Sequence, residues 1–523
     1  MNEKENFLQK YFPLNNLFFL LIIFSIGLII RLYYLPFDLP IILDGESYFW
    51  YANDMSILGQ LPTDFNSHNN FWSTILSLFF TINPSNNILD YMNLQRILSV
   101  VISTVTIFPM FFLCKKFFSN NYAIIGASFF ILDPRIIMNS LLGITEPIYF
   151  LIGILIILFS LNKNIKFYYI AFGLAAIFSL IRYEGLIILV PLTITYFWKF
   201  KINKKSILKY GICFLVFIII ITPMVESRIQ ATGQDGLTSH ILGGTNYVSN
   251  TLSGTYEKQD RSEFFIDGIL NSIKYLGWVT IPIWIIFLPY GVLKYFKKLD
   301  SQKSTILLFS AILILPAIYA YSRDIPETRY LYILFPLFSI ISLYLIKKIC
   351  KGRNYKLIFS FILSGIVILS IGWMEYKSMD VEYEKEAFML SFKIKEITKG
   401  VNEFYPESTY LKFVNVDKKF PKLKNEINDQ HKIFPLPNYE KIDDLLSNER
   451  NNGLTHIITD KSQNPKSQRN EFLVEIFENE YEYEFLKKIY DSKKDGFRYH
   501  LKIFEIDYEI FDQHKKTNEK ILN

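Results

Sequence analysis

From residue 17 to about residue 373 the chain returns repeatedly to apolar runs of roughly 15 to 20 residues, the length needed to cross ~30 Å of hydrocarbon. Lipid leaves no water to satisfy a bare backbone, so such runs must close their hydrogen bonds internally as helices. They predict eleven spans, at 17–36, 94–113, 121–132, 147–161, 167–181, 185–198, 207–224, 276–293, 304–321, 329–346 and 355–373. A further stretch, FWSTILSLFFTI at 71–82, is short for a crossing and reads as re-entrant or interfacial. After residue 373 the sequence turns charged and mixed, with no spanning run. The chain therefore divides into an α-helical polytopic membrane domain, 1–373, and a soluble α/β domain, 374–523.

Lys and Arg orient the spans. Loops holding Lys115 and Lys116, Lys163 and Lys166, Lys199 to Lys209, Lys294 to Lys303 and Lys347 to Lys356 are basic, while no Lys or Arg occurs between Arg31 and Arg96, where six acids fall. The positive-inside rule then predicts a cytoplasmic N-terminus and an extracytoplasmic C-terminal domain. The net charge of +6 is on this reading a topogenic signal, spread over separate loops, and not a nucleic-acid footprint. All three cysteines fall at predicted cytoplasmic span ends, so no disulfide framework is expected outside. The first span reads as an uncleaved anchor.

The polar chemistry is lopsided towards the predicted outer side. LDGESYFWYANDMSILGQ at 43–60 carries Asp44 and Glu46 at the start of an aromatic, helix-compatible segment that ends at Gly59. One reading makes Asp44 an N-cap and Glu46 a favourable first-turn charge. The other turns the pair towards a cavity at the membrane surface, where a carboxylate deprotonates an acceptor hydroxyl or the pair binds a divalent cation such as Mg or Mn. In DPRIIMNSLLGITEPIYF, Glu146 stands at a helix start beside Pro147. It is either a capping charge or, given the cost of an ionisable group at the bilayer edge, a residue with a partner or a task.

Arg182 and Glu184 interrupt the apolar run SLIRYEGLIILVPL, and either pin two helices together or present a cation to an anionic group. In YSRDIPETRYLYILFP, Arg323 and Arg329 offer planar donor forks suited to phosphate, or anchor the chain at the interface. The glycine-dotted loop 225–275 has the composition of a lid and lacks any GxxxxGK[ST] pattern. His68 stands alone in a polar loop, and the histidines and cysteines show no zinc spacing. In the tail, STYLKFVNV, a helix near 439–450, THIITD, a helix within 469–488 and YHLKIFEIDYEIF alternate as in a three-layer sandwich. There DGFRYHLKIFEIDY is a hairpin arm or an edge strand.

In order and topology, LDGESYFWYANDMSILGQLP, SHNNFWSTILSLFF, PRIIMNSLLGITEPIYF, SLIRYEGLIILVPL and ETRYLYILFP resemble the GT-C superfamily of polyprenyl-phosphate-sugar glycosyltransferases, over roughly residues 15–375. Within it they most resemble the branch of the dolichyl-phosphate-mannose mannosyltransferases and ArnT-like enzymes. The resemblance implies transfer of a sugar, a hexose such as mannose, from a polyprenyl- or dolichyl-phosphate carrier to a glycan, lipid or protein acceptor at the outer membrane face, with inversion. It implies Asp44 as the general base with Glu46 as its companion. Glu146, Arg182, Glu184, Arg329, His68 and Arg323 are then substrate-binding candidates, and Asp44, Glu46 and Glu146 the ligands of any metal. The Asp-x-Glu spacing also approaches the acidic motif of the oligosaccharyltransferase catalytic subunit, although WWDxG is absent. A transporter or flippase of polyprenyl-linked sugar would instead place charges near the bilayer midplane.

Overall fold

The computed structural model describes residues 14–63, 70–239, 261–323, 325–398, 403–404, 423–424, 439, 441–460 and 471–522. The chain folds as two compact units. One comprises Met1–Leu35, Asp44–Pro84 and Asp90–Tyr376; the other comprises Pro36–Leu43, Ser85–Leu89 and Lys377–Asn523.

The first unit is helical. Among the described residues, six helices are long and apolar enough to cross a membrane, or eight if two bent pairs each count as one span. They include Asn16–Tyr33, Ile88–Lys115, Lys204–Thr232, Ser301–Ser322 and Thr328–Ile349. Asn70–Ile82, Glu146–Ser160 and Lys166–Ile181 are apolar but shorter. Helix ends follow local chemistry. Asn203 and Ser206 form a reciprocal capping box ahead of Lys204–Thr232, which Gly233 stops at a φ of 72°. Asp133 accepts hydrogen bonds from the Arg135 and Ile136 amides and so starts Pro134–Ser140.

The expected span at 276–293 is corrected by the structure: the helix from Ile266 to Val279 and the helix Trp284–Phe296 meet at 116°. Pro282 falls in the break, lacks an amide hydrogen and cannot continue the preceding turn. Arg135 donates to the carbonyls of Trp278 at 2.9 Å and Ile281 at 3.2 Å, satisfying backbone that the break leaves open. Arg31 is likewise fully buried and makes four hydrogen bonds, donating to Ser140 Oγ, Ser103 Oγ and the carbonyls of Gly27 and Ile131.

The second unit carries a four-stranded sheet in the order β1 (Glu403–Phe404), β2 (His456–Asp460), β4 (Leu501–Ile506), β3 (Leu486–Asp491). β1 runs parallel to β2, and β4 pairs antiparallel with both β2 and β3. Alternation along the strands builds two cores. Ile457 and Phe504 pack with Leu445, Leu473 and Phe511, while Ile458 and Ile503 pack with Ala387, Leu390 and Ile394 of the long helix Tyr355–Thr398. The result is helix, sheet, helix, as the alternating pattern predicts. Of the two readings of 495–508, the hairpin arm holds: β4 is a central strand. One expectation changes, since Leu486–Asp491 forms a strand where the sequence suggested the end of a helix. The expected strand STYLKFVNV lies outside the described residues.

Candidate active site

Four backbone features deliver the charged side chains. Leu43, at a φ of 56° that a branched residue rarely adopts, turns the chain into the helix Asp44–Leu58, so Asp44 opens the first turn. Glu146 opens the helix Glu146–Ser160, with Thr145 at the N-cap and Pro147 behind it. Arg182 adopts an extended conformation between the helix Lys166–Ile181 and the 3-10 helix Tyr183–Ile188. The fold there brings Gly185 so near the preceding helix that a Cβ would stand 2.6 Å from the Phe178 carbonyl oxygen, which only glycine permits. Arg329 projects from the 3-10 helix Thr328–Leu334.

These four residues and Glu184 form one network. Arg182 Nη1 donates to Glu146 Oε1 at 2.9 Å, and its Nη2 donates to Glu184 Oε1 at 3.1 Å. Arg329 Nη2 donates to Asp44 Oδ2 at 2.5 Å, its Nη1 lies 3.6 Å from the same Glu146 oxygen, and its Nε lies 3.3 Å from Glu327. Glu146 is the hub, with a side chain only 4% exposed, whereas that of Asp44 is 54% exposed. Two guanidinium groups offset the desolvation cost of the buried carboxylate. The rings of Tyr149 and Tyr330 lie 5.9 Å and 5.6 Å from the Arg182 guanidinium, and Tyr149 stacks on Phe178 at 3.9 Å. Glu146, Arg182, Glu184 and Arg329 line a narrow cleft of about 40 Å³ together with Tyr149, Phe150, Leu313, Pro316, Ala317, Tyr330 and Ile333. Glu184 Oε2, buried in this wall, has no hydrogen-bond partner among the described residues.

The structure thus brings together Asp44, Glu146, Arg182, Glu184 and Arg329 out of the residues singled out in the sequence. Glu46 instead accepts a hydrogen bond from Trp50 Nε1 at 3.2 Å, one helical turn on. Arg323 stands over the ring of Tyr319, 5.7 Å away. His68 and Asp324 lie outside the described residues, as do Gly243, Gly244 and Gly254 of the glycine-dotted loop. The aromatic partners Tyr149 and Tyr330 carry no sequence signal that sets them apart from the other tyrosines.

Asp44 and Glu146 do not make a fitting cation site. Both already face guanidinium groups, so the positive charge that a divalent ion would bring is supplied by arginine. Among the described residues no group of three or more His, Cys, Asp or Glu side chains is placed to hold a metal ion.

No protein-family model matches the sequence, and no curated protein matches it at significance. Solved structures do share its fold. The oligosaccharyltransferase AglB of Archaeoglobus fulgidus, in complex with an inhibitory peptide and a dolichol-phosphate, superposes with a TM-score of 0.53 at 13% identity, over 87% of this chain and 70% of that one. ArnT of Cupriavidus metallidurans, bound to undecaprenyl phosphate, superposes with a TM-score of 0.53 at 8% identity, over 93% of this chain and 97% of that one. The polytopic helical unit, the small C-terminal sheet and these two likenesses together show that the chain has the GT-C fold.

Proposed function

We propose that the protein is an integral-membrane glycosyltransferase that moves a sugar, a hexose such as mannose, from a polyprenyl- or dolichyl-phosphate carrier to an acceptor hydroxyl at the outer membrane face. The observation that carries this reading is the sharing of Arg329 between exposed Asp44 and buried Glu146 beside a cleft that Arg182 also lines. A guanidinium fork suits phosphate oxygens, and a carboxylate suits a hydroxyl proton. The same network supplies a sequence of events. A phosphate entering the cleft competes for Arg329 Nη2, and Asp44 gives up that partner. Asp44 then takes the proton of the acceptor hydroxyl as its oxygen attacks the anomeric carbon. The bond from that carbon to the phosphate oxygen breaks on the opposite face, which inverts the centre. The polyprenyl phosphate leaves with its negative charge held by Arg182 and Arg329. Glu46 is Asp44's companion in the first turn, held by Trp50.

Binding of dolichol-phosphate by AglB and of undecaprenyl phosphate by ArnT supports a lipid-phosphate carrier here. A glycan, lipid or protein supplies the hydroxyl. The AglB likeness also supports a second reading, transfer to a peptide amide. Reconstitution in vesicles with labelled polyprenyl-phosphate sugars, with hydroxyl and peptide acceptors in separate arms, tests both. The expected result is transfer to a hydroxyl acceptor that falls ~100- to 10,000-fold in Asp44→Asn, the range of a lost general base. Wild-type transfer by folded Asp44→Asn removes the base assignment, and transfer confined to the peptide arm installs the second reading.

A further inference from the structure

Gln95 sits in the middle of the helix Ile88–Val105 and is fully buried. Its side-chain Nε2 donates to the carbonyl of Gly45 at 2.9 Å and to the carbonyl of Gly143 at 2.7 Å. Gly45 adjoins Asp44 in the chain, and Gly143 stands three residues before Glu146. One amide group therefore ties together the two backbone segments that present the carboxylates sharing Arg329, although 48 and 50 residues separate it from its two partners.

The chemistry of the tie is specific. Two carbonyl oxygens face the side chain, so only its NH₂ end can point at them, and both of its hydrogens are used. Its oxygen is buried and finds no hydrogen-bond partner among the described residues. A residue kept for packing alone would not bury an unsatisfied acceptor in an apolar helix. The Gly143 end is braced further: its carbonyl also accepts from Trp72 Nε1 at 3.0 Å, and its φ of 69° makes a turn that suits glycine.

We propose that Gln95 is a positioning residue that fixes the spacing of Asp44 and Glu146 across Arg329. This rests on the glycosyl-transfer reading above. Gln95 touches neither carrier nor acceptor. It acts by holding the base and the hub carboxylate in register, so that one guanidinium reaches both. Misplacement of reacting groups by about 1 Å costs on the order of 100-fold in rate.

The test uses the full chain in vesicles with Gln95→Met, which keeps the volume and removes both donors, and Gln95→Glu, which keeps a polar group but turns an oxygen towards the carbonyls. The expected result is a ~10- to 100-fold fall in kcat with an unchanged KM for the polyprenyl-phosphate sugar, because Arg182 and Arg329 stay in place. Hydrogen exchange of the amides at 45–49, 143–146 and 148–149 should quicken at the same time. Wild-type kcat in either folded variant overturns the proposal, as does a loss confined to the fraction of folded protein, which a merely structural role would produce. Should Gln95→Met fail to fold, Gln95→Glu decides. If the wild-type protein transfers no sugar, the functional reading falls, and the exchange measurement alone decides the tie. Unchanged exchange in both variants then overturns it.

Discussion

In the helical unit, Glu146 meets two guanidinium groups that also reach Asp44, Glu184 and Glu327. In the α/β unit, Glu480 meets two ammonium groups, those of Lys488 and Lys502, and Lys502 also donates to the Phe477 carbonyl at 2.6 Å. Each buries a carboxylate and offsets the cost with paired cations. They differ in what the cations can still do. Lysine is a point charge, and the second set closes on itself within one stretch of chain from residue 477 to residue 502. Arginine is a fork, and the first set reaches across 285 residues to join elements around a cleft. A charge cluster built for stability consumes its donors locally, whereas one that lines a cleft keeps them where a ligand can compete.

Substitutions should separate the two. Glu146→Gln removes the hub of the first set and leaves two arginines short of a partner. It should cost about 3–5 kcal/mol of stability, as breaking a buried pair does, and abolish most transfer. Denaturation in detergent and the transfer assay would show both, and a variant losing stability alone would make the first network as structural as the second. Arg182→Lys keeps the charge and loses the fork, so kcat/KM should fall on the order of 10- to 100-fold. The mirror change, Lys488→Arg, should leave transfer untouched and move stability by no more than about 0.5 kcal/mol. Equal effects of the two exchanges would dissolve the comparison.

The smallest expected effect is one of pH on the α/β unit. Burial works to raise the Glu480 pKa, but hydrogen bonds from Lys488 and Lys502 outweigh it and hold the carboxyl below its usual value of 4.5. A depressed carboxylate contributes stability that is present above its unfolded pKa and lost as pH falls through the folded one. Hydrogen exchange on β3 and β4 should therefore quicken as pH drops below about 4.5, after correction for intrinsic rates, and less so in Glu480→Gln.

Much of the network is legible in the sequence. Asp44, Glu146, Arg182, Glu184 and Arg329 stand out because ionisable groups beside long apolar runs are few and expensive. Gln95 is not, since it stands among Asp90, Asn93 and Arg96 in the polar first half of its helix and nothing in the pattern sets it apart from them. The break at Pro282 was hidden by hydropathy, which averages over residues 276–293 and does not see a missing amide hydrogen. The first residues of the helix Tyr508–Leu522 continue the alternation of β4 and so look like strand in the sequence.

Apolar helices with charges at their ends and an alternating α/β tail follow from local composition, because burial costs act on each residue wherever its neighbours lie. The meeting of Arg329 with Asp44 and Glu146 and the span of Gln95 between Gly45 and Gly143 arise from long-range packing. Those pairings depend on which helix ends come together. Packing of whole elements sets that, and no local stretch of residues encodes it.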